Sequence, residues 1–79
     1  ADGPESEFEG ERLGKAVEIA ISKLPQDLKS AIIMREYEGM SYEDISAILE
    51  CPVGTVRSRI FRARESIDKE VKTLFELGL

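Results

Sequence analysis

The chain has 79 residues, enough for one domain with a modest core and too few for two. Apolar residues make up 42% and charged residues 34%, a balance typical of a globular chain of short amphipathic helices. No apolar run approaches the roughly 18–20 residues of a membrane-spanning helix, so direct membrane insertion is not expected. The chain starts without Met, and we expect it to be a piece of a larger protein.

The histidine and cysteine counts exclude several kinds of chemistry. The chain has no His and one cysteine, Cys51, which cannot form an internal disulfide and fits a reducing compartment such as a cytoplasm. The usual zinc sites and the Ser-His and Cys-His pairs of nucleophilic catalysis are therefore excluded. We expect no enzymatic activity, no metal, no cofactor and no small-molecule substrate.

The net charge of −5 is unevenly distributed. Residues 1–11 hold five acids and no base, whereas residues 12–79 hold 11 acids and 11 bases. Within residues 53–64 there are four Arg and no acid. Because charges farther apart than about 8 Å are largely screened at physiological salt, this local cluster can attract phosphates although the whole chain is acidic.

The helical pattern starts after a polar segment. Residues 1–10 are rich in acids, Gly and Pro and are predicted to form a flexible acidic linker or tail, followed by one domain over residues 11–79. Apolar side chains at spacings of three and four predict a first helix over about residues 11–23. A proline opens a second helix, predicted over residues 25–38, and Gly39 supplies a left-handed stop.

Two more helices follow. Ser41 and Asp44 have the spacing of a capping box and predict a third helix over residues 42–49. Residues 50–52 break this helix, and a fourth is predicted from residue 53 to about 75. Four helices without any strand pattern predict an all-α fold, and the short break before a longer Arg-rich helix is the outline of a helix-turn-helix.

The fourth predicted helix has two distinct faces when residues are placed at roughly 100° intervals. Its apolar residues fall into one narrow stripe that must face the core; they are Val53, Val56, Ile60, Ala63, Ile67, Val71 and Leu74. The opposite face and its flanks carry Gly54, Thr55, Arg57, Ser58, Arg59, Phe61 and Arg62.

The outward face has the residue types of a DNA reader. Arg is the common bidentate partner of guanine, Ser can donate or accept at several base edges, and an exposed Phe can pack on a thymine methyl. The alternative is a solvated face whose Arg side chains pair with neighbouring carboxylates such as Glu65. An exposed Phe61 among acid-free Arg residues, directly after the helix-turn break, favours DNA. Arg35 and Tyr42 flank the preceding turn and are either phosphate contacts or ordinary surface residues.

Residues 24–67 resemble region 4 of bacterial sigma factors, in particular the extracytoplasmic-function group and its sigma-E-like members. The resemblance extends over about residues 13–74 and is strongest from Ser41 to Ile45 and in the unbroken Pro-Val-Gly-Thr-Val-Arg-Ser-Arg run of residues 52–59. It implies a four-helix, helix-turn-helix fold, similar to a winged helix without the wing. One departure is Glu50, where a glycine commonly sits in the turn.

The resemblance also implies a function and partners. In that family the module recognises the −35 promoter element, often beginning GGAA, in the major groove of double-stranded DNA. It docks on the β flap of RNA polymerase, and anti-sigma factors can occlude it, all in the bacterial cytoplasm. The resemblance implies base readout by Arg57, Ser58, Phe61 and Arg62. It implies phosphate contacts by Arg35, Tyr42, Thr55, Arg59 and Arg64.

Two other functions remain open at this point. The DNA-binding output domain of a response regulator also has four helices and a similar turn, but it would dimerise on palindromic sites. A helical protein-interaction adaptor with an incidental Arg face would bind duplex DNA without regard to salt or sequence.

Overall fold

In a computed structural model residues 4–78 form four α-helices connected by short turns and contain no strand. The structure describes the backbone of these residues and the side chains of residues 10–78. The helices are α1 (Pro4–Ser22), α2 (Gln26–Glu36), α3 (Tyr42–Leu49) and α4 (Val53–Glu76). The all-α prediction is therefore confirmed. No helix in this part of the chain is both long and apolar enough to cross a membrane.

The start of α1 differs from the prediction. A start near residue 11 was wrong, because the helix begins at Pro4. A proline followed by acids is itself a helix-start signal, since Pro suits the first turn and negative charge is favourable at the helix N-terminus. Residues 1–3 of the predicted linker lie outside the described residues, and the division of the chain at residue 10 stays a prediction.

α4 is the central element of the core, and the other three helices all pack against it. Its side chains Val56, Ile60 and Ala63 are fully buried, and the rest of its predicted apolar stripe is half-buried. Ile32 of α2 and Ile45 of α3 complete the centre of the core. One face of α4 therefore packs against the other three helices, and its opposite face is exposed to solvent.

α1 packs through small side chains. Ala16 and Ala20 are buried, whereas Leu13 is 49% exposed. The spacing of apolar residues correctly indicated a helix, but the large Leu13 lies outside the buried stripe. Alanine at the contact lets the backbones of α1 and α4 approach closely, because little side chain separates them.

Local hydrogen bonds fix both ends of α3. The Ser41 Oγ accepts a 3.1 Å hydrogen bond from the backbone N–H of Asp44, so the predicted N-cap is present. At the other end, the backbone N–H groups of Glu50 and Cys51 both donate to the Ser46 carbonyl, and Ser46 Oγ donates to the Cys51 carbonyl. The turn between α3 and α4 is therefore attached to α3 by hydrogen bonds to a single residue, Ser46.

Glu50 adopts a left-handed backbone conformation, with φ of 53°. This conformation costs an L-residue about 1–2 kcal/mol, whereas glycine adopts it freely. We expect Glu50→Gly to raise the free energy of unfolding by about 0.5–1 kcal/mol, since the greater freedom of glycine in the unfolded chain offsets part of the gain. A thermal melt followed by circular dichroism should show a rise in Tm of a few degrees, at about 4–8 °C per kcal/mol.

The matched control is Ala47→Gly, at an exposed position inside α3. There the same residue is introduced into regular helix and should lower stability by about 1 kcal/mol. If both glycine variants lower Tm, the backbone of Glu50 is not strained.

Candidate nucleic-acid interface

The first turns of α4 form an exposed ridge, defined here as Arg57, Ser58, Phe61 and Arg62. All four side chains are exposed, and Phe61 exposes 63% of its surface. Ile60, directly beside Phe61 in sequence, is 1% exposed. The outward direction calculated from the sequence therefore agrees with the structure, and the ridge is not covered by the described part of the chain.

The helix-turn-helix places the N-terminus of α4 at one end of this ridge. Residues 50–52 join α3 to α4, and the Pro52 carbonyl accepts hydrogen bonds from the N–H groups of Thr55 (2.9 Å) and Val56 (3.1 Å). The backbone N–H groups of Val53 and Gly54 come before the first hydrogen bonds of the helix, as at any helix N-terminus. A Cβ on Gly54 would meet nothing within 4 Å, so packing inside the domain does not require glycine there.

The two arginines of the ridge are not neutralised by carboxylates. Neither Arg57 nor Arg62 forms an ion pair within residues 10–78, and Glu65 pairs with no arginine there. Arg57 lies over the ring of Tyr42, 5.8 Å from its centroid. Pairing with carboxylates, the alternative to DNA contact, is thus absent at Arg57 and Arg62 among the described residues but present at Arg59 and Arg64.

Arg35 and Tyr42 lie together between the end of α2 and the start of α3. Arg35 Nη1 donates a 2.9 Å hydrogen bond to the Met40 carbonyl, and the Arg35 guanidinium lies 4.7 Å from the centre of the Tyr42 ring. Both side chains are half-buried, as is Thr55 in the first turn of α4. Arg57 joins Arg35 through the same ring, so the structure brings together two of the predicted phosphate contacts, Arg35 and Tyr42, and one ridge residue.

The remaining two predicted phosphate contacts, Arg59 and Arg64, have carboxylate partners on α2. Arg59 Nε lies 3.8 Å from Asp27 Oδ2, and Arg59 Nη1 donates a long hydrogen bond to Cys51 Sγ. Arg64 forms a hydrogen-bonded ion pair with Glu36. This hydrogen bond raises the pKa of Arg64 above its ordinary value. Sequence reasoning missed both acids, because the partners are far apart in the chain and meet only when α2 packs against α4.

The ion pair with Glu36 must be loosened before Arg64 can bind a phosphate fully. We expect Glu36→Gln to raise affinity for duplex DNA by up to about fivefold at low salt, since exposed pairs contribute up to about 1 kcal/mol. Fluorescence anisotropy with a labelled duplex measures this change.

The control is Glu38→Gln, which removes the same charge from an exposed position two residues away without releasing an arginine. Equal gains in the two variants would mean that only the net charge matters, and that Arg64 is not freed for a phosphate.

A short helix, a three-residue turn and a second helix with an exposed, cationic and aromatic face define a helix-turn-helix domain of the kind that enters the major groove of DNA. The family model described as sigma-70, region 4 matches residues 15–67, and the chain belongs to this family. The match confirms the resemblance to sigma factor region 4 that the sequence indicated. Members of the family are transcription initiation factors rather than enzymes, and the response-regulator alternative is not favoured.

Full-length sigma factors contain segments similar to this chain. The ECF RNA polymerase sigma-E factor of Haemophilus influenzae is 56% identical over 73 residues, which are 92% of this chain and 39% of that protein. The RNA polymerase sigma-H factor of Pseudomonas aeruginosa is 51% identical over 92% of this chain and 38% of its own length. The sigma-E factor of Escherichia coli K12 is 56% identical over 90% of this chain and 37% of its own length. The chain thus spans about two fifths of these curated relatives.

Proposed function

We propose that this domain recognises the −35 promoter element on behalf of an alternative sigma factor during transcription initiation. The observation that carries the proposal is the ridge of Arg57, Ser58, Phe61 and Arg62, which is exposed while the reverse side of α4 packs into the core. A helix fixed to its own domain by one face, and free on the other, can enter a major groove about 12 Å wide.

The ridge residues differ in chemistry, and each kind is suited to a different contact with the bases. Arg57 and Arg62 offer guanidinium groups for guanine O6 and N7, and neither has a carboxylate partner in the described part of the chain. Ser58 offers a hydroxyl that donates or accepts. Phe61 supplies an apolar surface for a thymine methyl, which accounts for a large aromatic side chain left in water.

Contacts to the DNA backbone fix the position of the ridge in the groove. Arg35, Tyr42 and Thr55 surround the turns that precede α3 and α4 and are suited to phosphates on one side of the groove. Arg59 and Arg64 serve the same purpose once phosphates compete with Asp27 and Glu36. This competition and the net charge of −5 keep non-specific binding weak.

The proposed partners of the complete protein are promoter DNA and RNA polymerase in the bacterial cytoplasm. Docking on the β flap and occlusion by an anti-sigma factor follow from the family resemblance. The similarity to sigma-E and sigma-H factors supports the polymerase partner. The acidic segment of residues 1–10 then belongs to the connection to the rest of the sigma factor.

The test is an NMR titration of the isotope-labelled domain with a GGAA-containing duplex and with a scrambled duplex of equal length. We expect amides of residues 53–64 to shift strongly with the first duplex and weakly with the second. Affinity should fall with salt, with a slope of log K against log salt of about −3, since three of the five proposed phosphate contacts are arginines and only cationic side chains release counterions. Equal shifts and equal affinities for both duplexes would refute specific recognition.

A further inference from the structure

We infer that Tyr42 is a positioning residue for base readout, because its ring holds the Arg57 guanidinium at the edge of the ridge. The inference rests on the proposed DNA recognition by Arg57. It assigns to the aromatic ring a role separate from any phosphate contact of the Tyr42 hydroxyl.

Arg35, Tyr42 and Arg57 form a stack of three side chains across the helix-turn-helix. The guanidinium of Arg35, on α2, lies 4.7 Å from the centre of the Tyr42 ring, and that of Arg57, on α4, lies 5.8 Å from it. Both distances are within the roughly 6 Å range of cation–π attraction. Two like charges converge on one ring, and neither pairs with a carboxylate within the described residues. The Tyr42 ring is therefore the group that both guanidinium groups contact.

Within the stack, Arg35 and Tyr42 are held in place by the fold, whereas Arg57 is exposed. Arg35 is anchored by its hydrogen bond to the Met40 carbonyl, and Tyr42 is half-buried against the core. Arg57 itself is exposed and has no side-chain hydrogen bond or ion pair in the described part of the chain. Holding Arg57 before DNA arrives lowers the entropy that its side chain loses on binding, and this increases discrimination at the base pair it reads.

Arg62 serves as a comparison for Arg57, because it lies on the same ridge but contacts no aromatic ring among the described residues. It is an exposed arginine of the same ridge, and within residues 10–78 it has no hydrogen bond, ion pair or ring contact. A change in the Tyr42 ring should therefore affect readout by Arg57 and leave readout by Arg62 unchanged. A phosphate contact alone would affect neither readout selectively.

The test compares Tyr42→Leu and Tyr42→Phe, each alone and combined with Arg57→Ala or Arg62→Ala. The readout is the ratio of Kd values for the preferred duplex and for duplexes changed at one base pair. We expect Tyr42→Leu to reduce discrimination by about two- to fivefold at the Arg57 base pair only, as one cation–π contact allows. Tyr42→Phe should retain it. The effect should disappear in Arg57→Ala and persist in Arg62→Ala.

Three results would overturn the inference: loss of discrimination in Tyr42→Phe, full additivity with Arg57→Ala, or a loss of affinity in Tyr42→Leu that leaves the Kd ratios between duplexes unchanged. A second measurement covers the case in which Tyr42→Leu does not fold. In the free wild-type and Tyr42→Phe domains, ring currents should shift the Arg57 Hδ and Nε–H signals away from those of Arg62. Coincident signals would also overturn it. Equal binding of preferred and scrambled duplexes by the wild type would instead refute the proposed function, while these side-chain signals still decide whether the ring holds Arg57.

Discussion

Arg62→Ala is expected to cost about 1–3 kcal/mol of binding free energy on the preferred duplex, and to abolish the preference at one base pair. Arg62 is exposed and has no partner in the described part of the chain, so its removal leaves the fold intact. The loss is therefore a loss of contact with DNA. Competition binding against a set of duplexes, each changed at one base pair, measures both effects.

Two control variants separate geometry from charge. Arg62→Lys keeps the positive charge but loses the planar fork that bonds guanine O6 and N7, so it should resemble Arg62→Ala in specificity. Lys72→Ala removes an equal charge from an exposed position near the other end of α4, and should change affinity little and preference not at all. An equal loss on every duplex in Arg62→Ala would show that this residue contacts a phosphate and reads no base.

The helix-turn-helix and the ridge were predictable because their signals are local. The Ser41 cap and the break at residues 50–52 fixed the bounds of α3 and the start of α4, which agree with the structure. The direction of the ridge followed from helical periodicity, since seven apolar residues in one stripe leave no other face for the core. A short helix attached to a long amphipathic helix thus specifies most of the candidate site.

The remaining features depend on contacts between distant residues. The pairing of Arg59 with Asp27, and of Arg64 with Glu36, arises from the packing of α2 beside α4, which no spacing in the sequence encodes. The exposure of Leu13 has the same origin, because the buried face of α1 is chosen by fit against α4 and not by side-chain size alone. The stack of two arginines on one tyrosine likewise appears only when three helices meet.

The largest expected effect on stability is that of Ile45→Ala. Ile45 is fully buried in α3 and packs in the core cluster between α2 and α4. Removing three carbons from such a site costs about 2–5 kcal/mol, because apolar contact is lost and a cavity remains. A domain of this size is expected to have only about 3–5 kcal/mol of stability, so a large fraction of the variant should be unfolded at 25 °C. Urea denaturation followed by far-ultraviolet circular dichroism measures the change.

The matched control is Ile48→Ala, the same substitution one turn along the same helix at a side chain that is 56% exposed. It should change stability by less than about 0.5 kcal/mol, since little buried contact is lost and alanine is the better helix former. Because α3 supports the reverse side of α4, Ile45→Ala should also weaken DNA binding, and excess specific duplex should restore helicity by mass action. Similar urea midpoints for the two variants would show that α3 is not part of the cooperative core. The ridge of α4 would then need no support from α3 to keep its position.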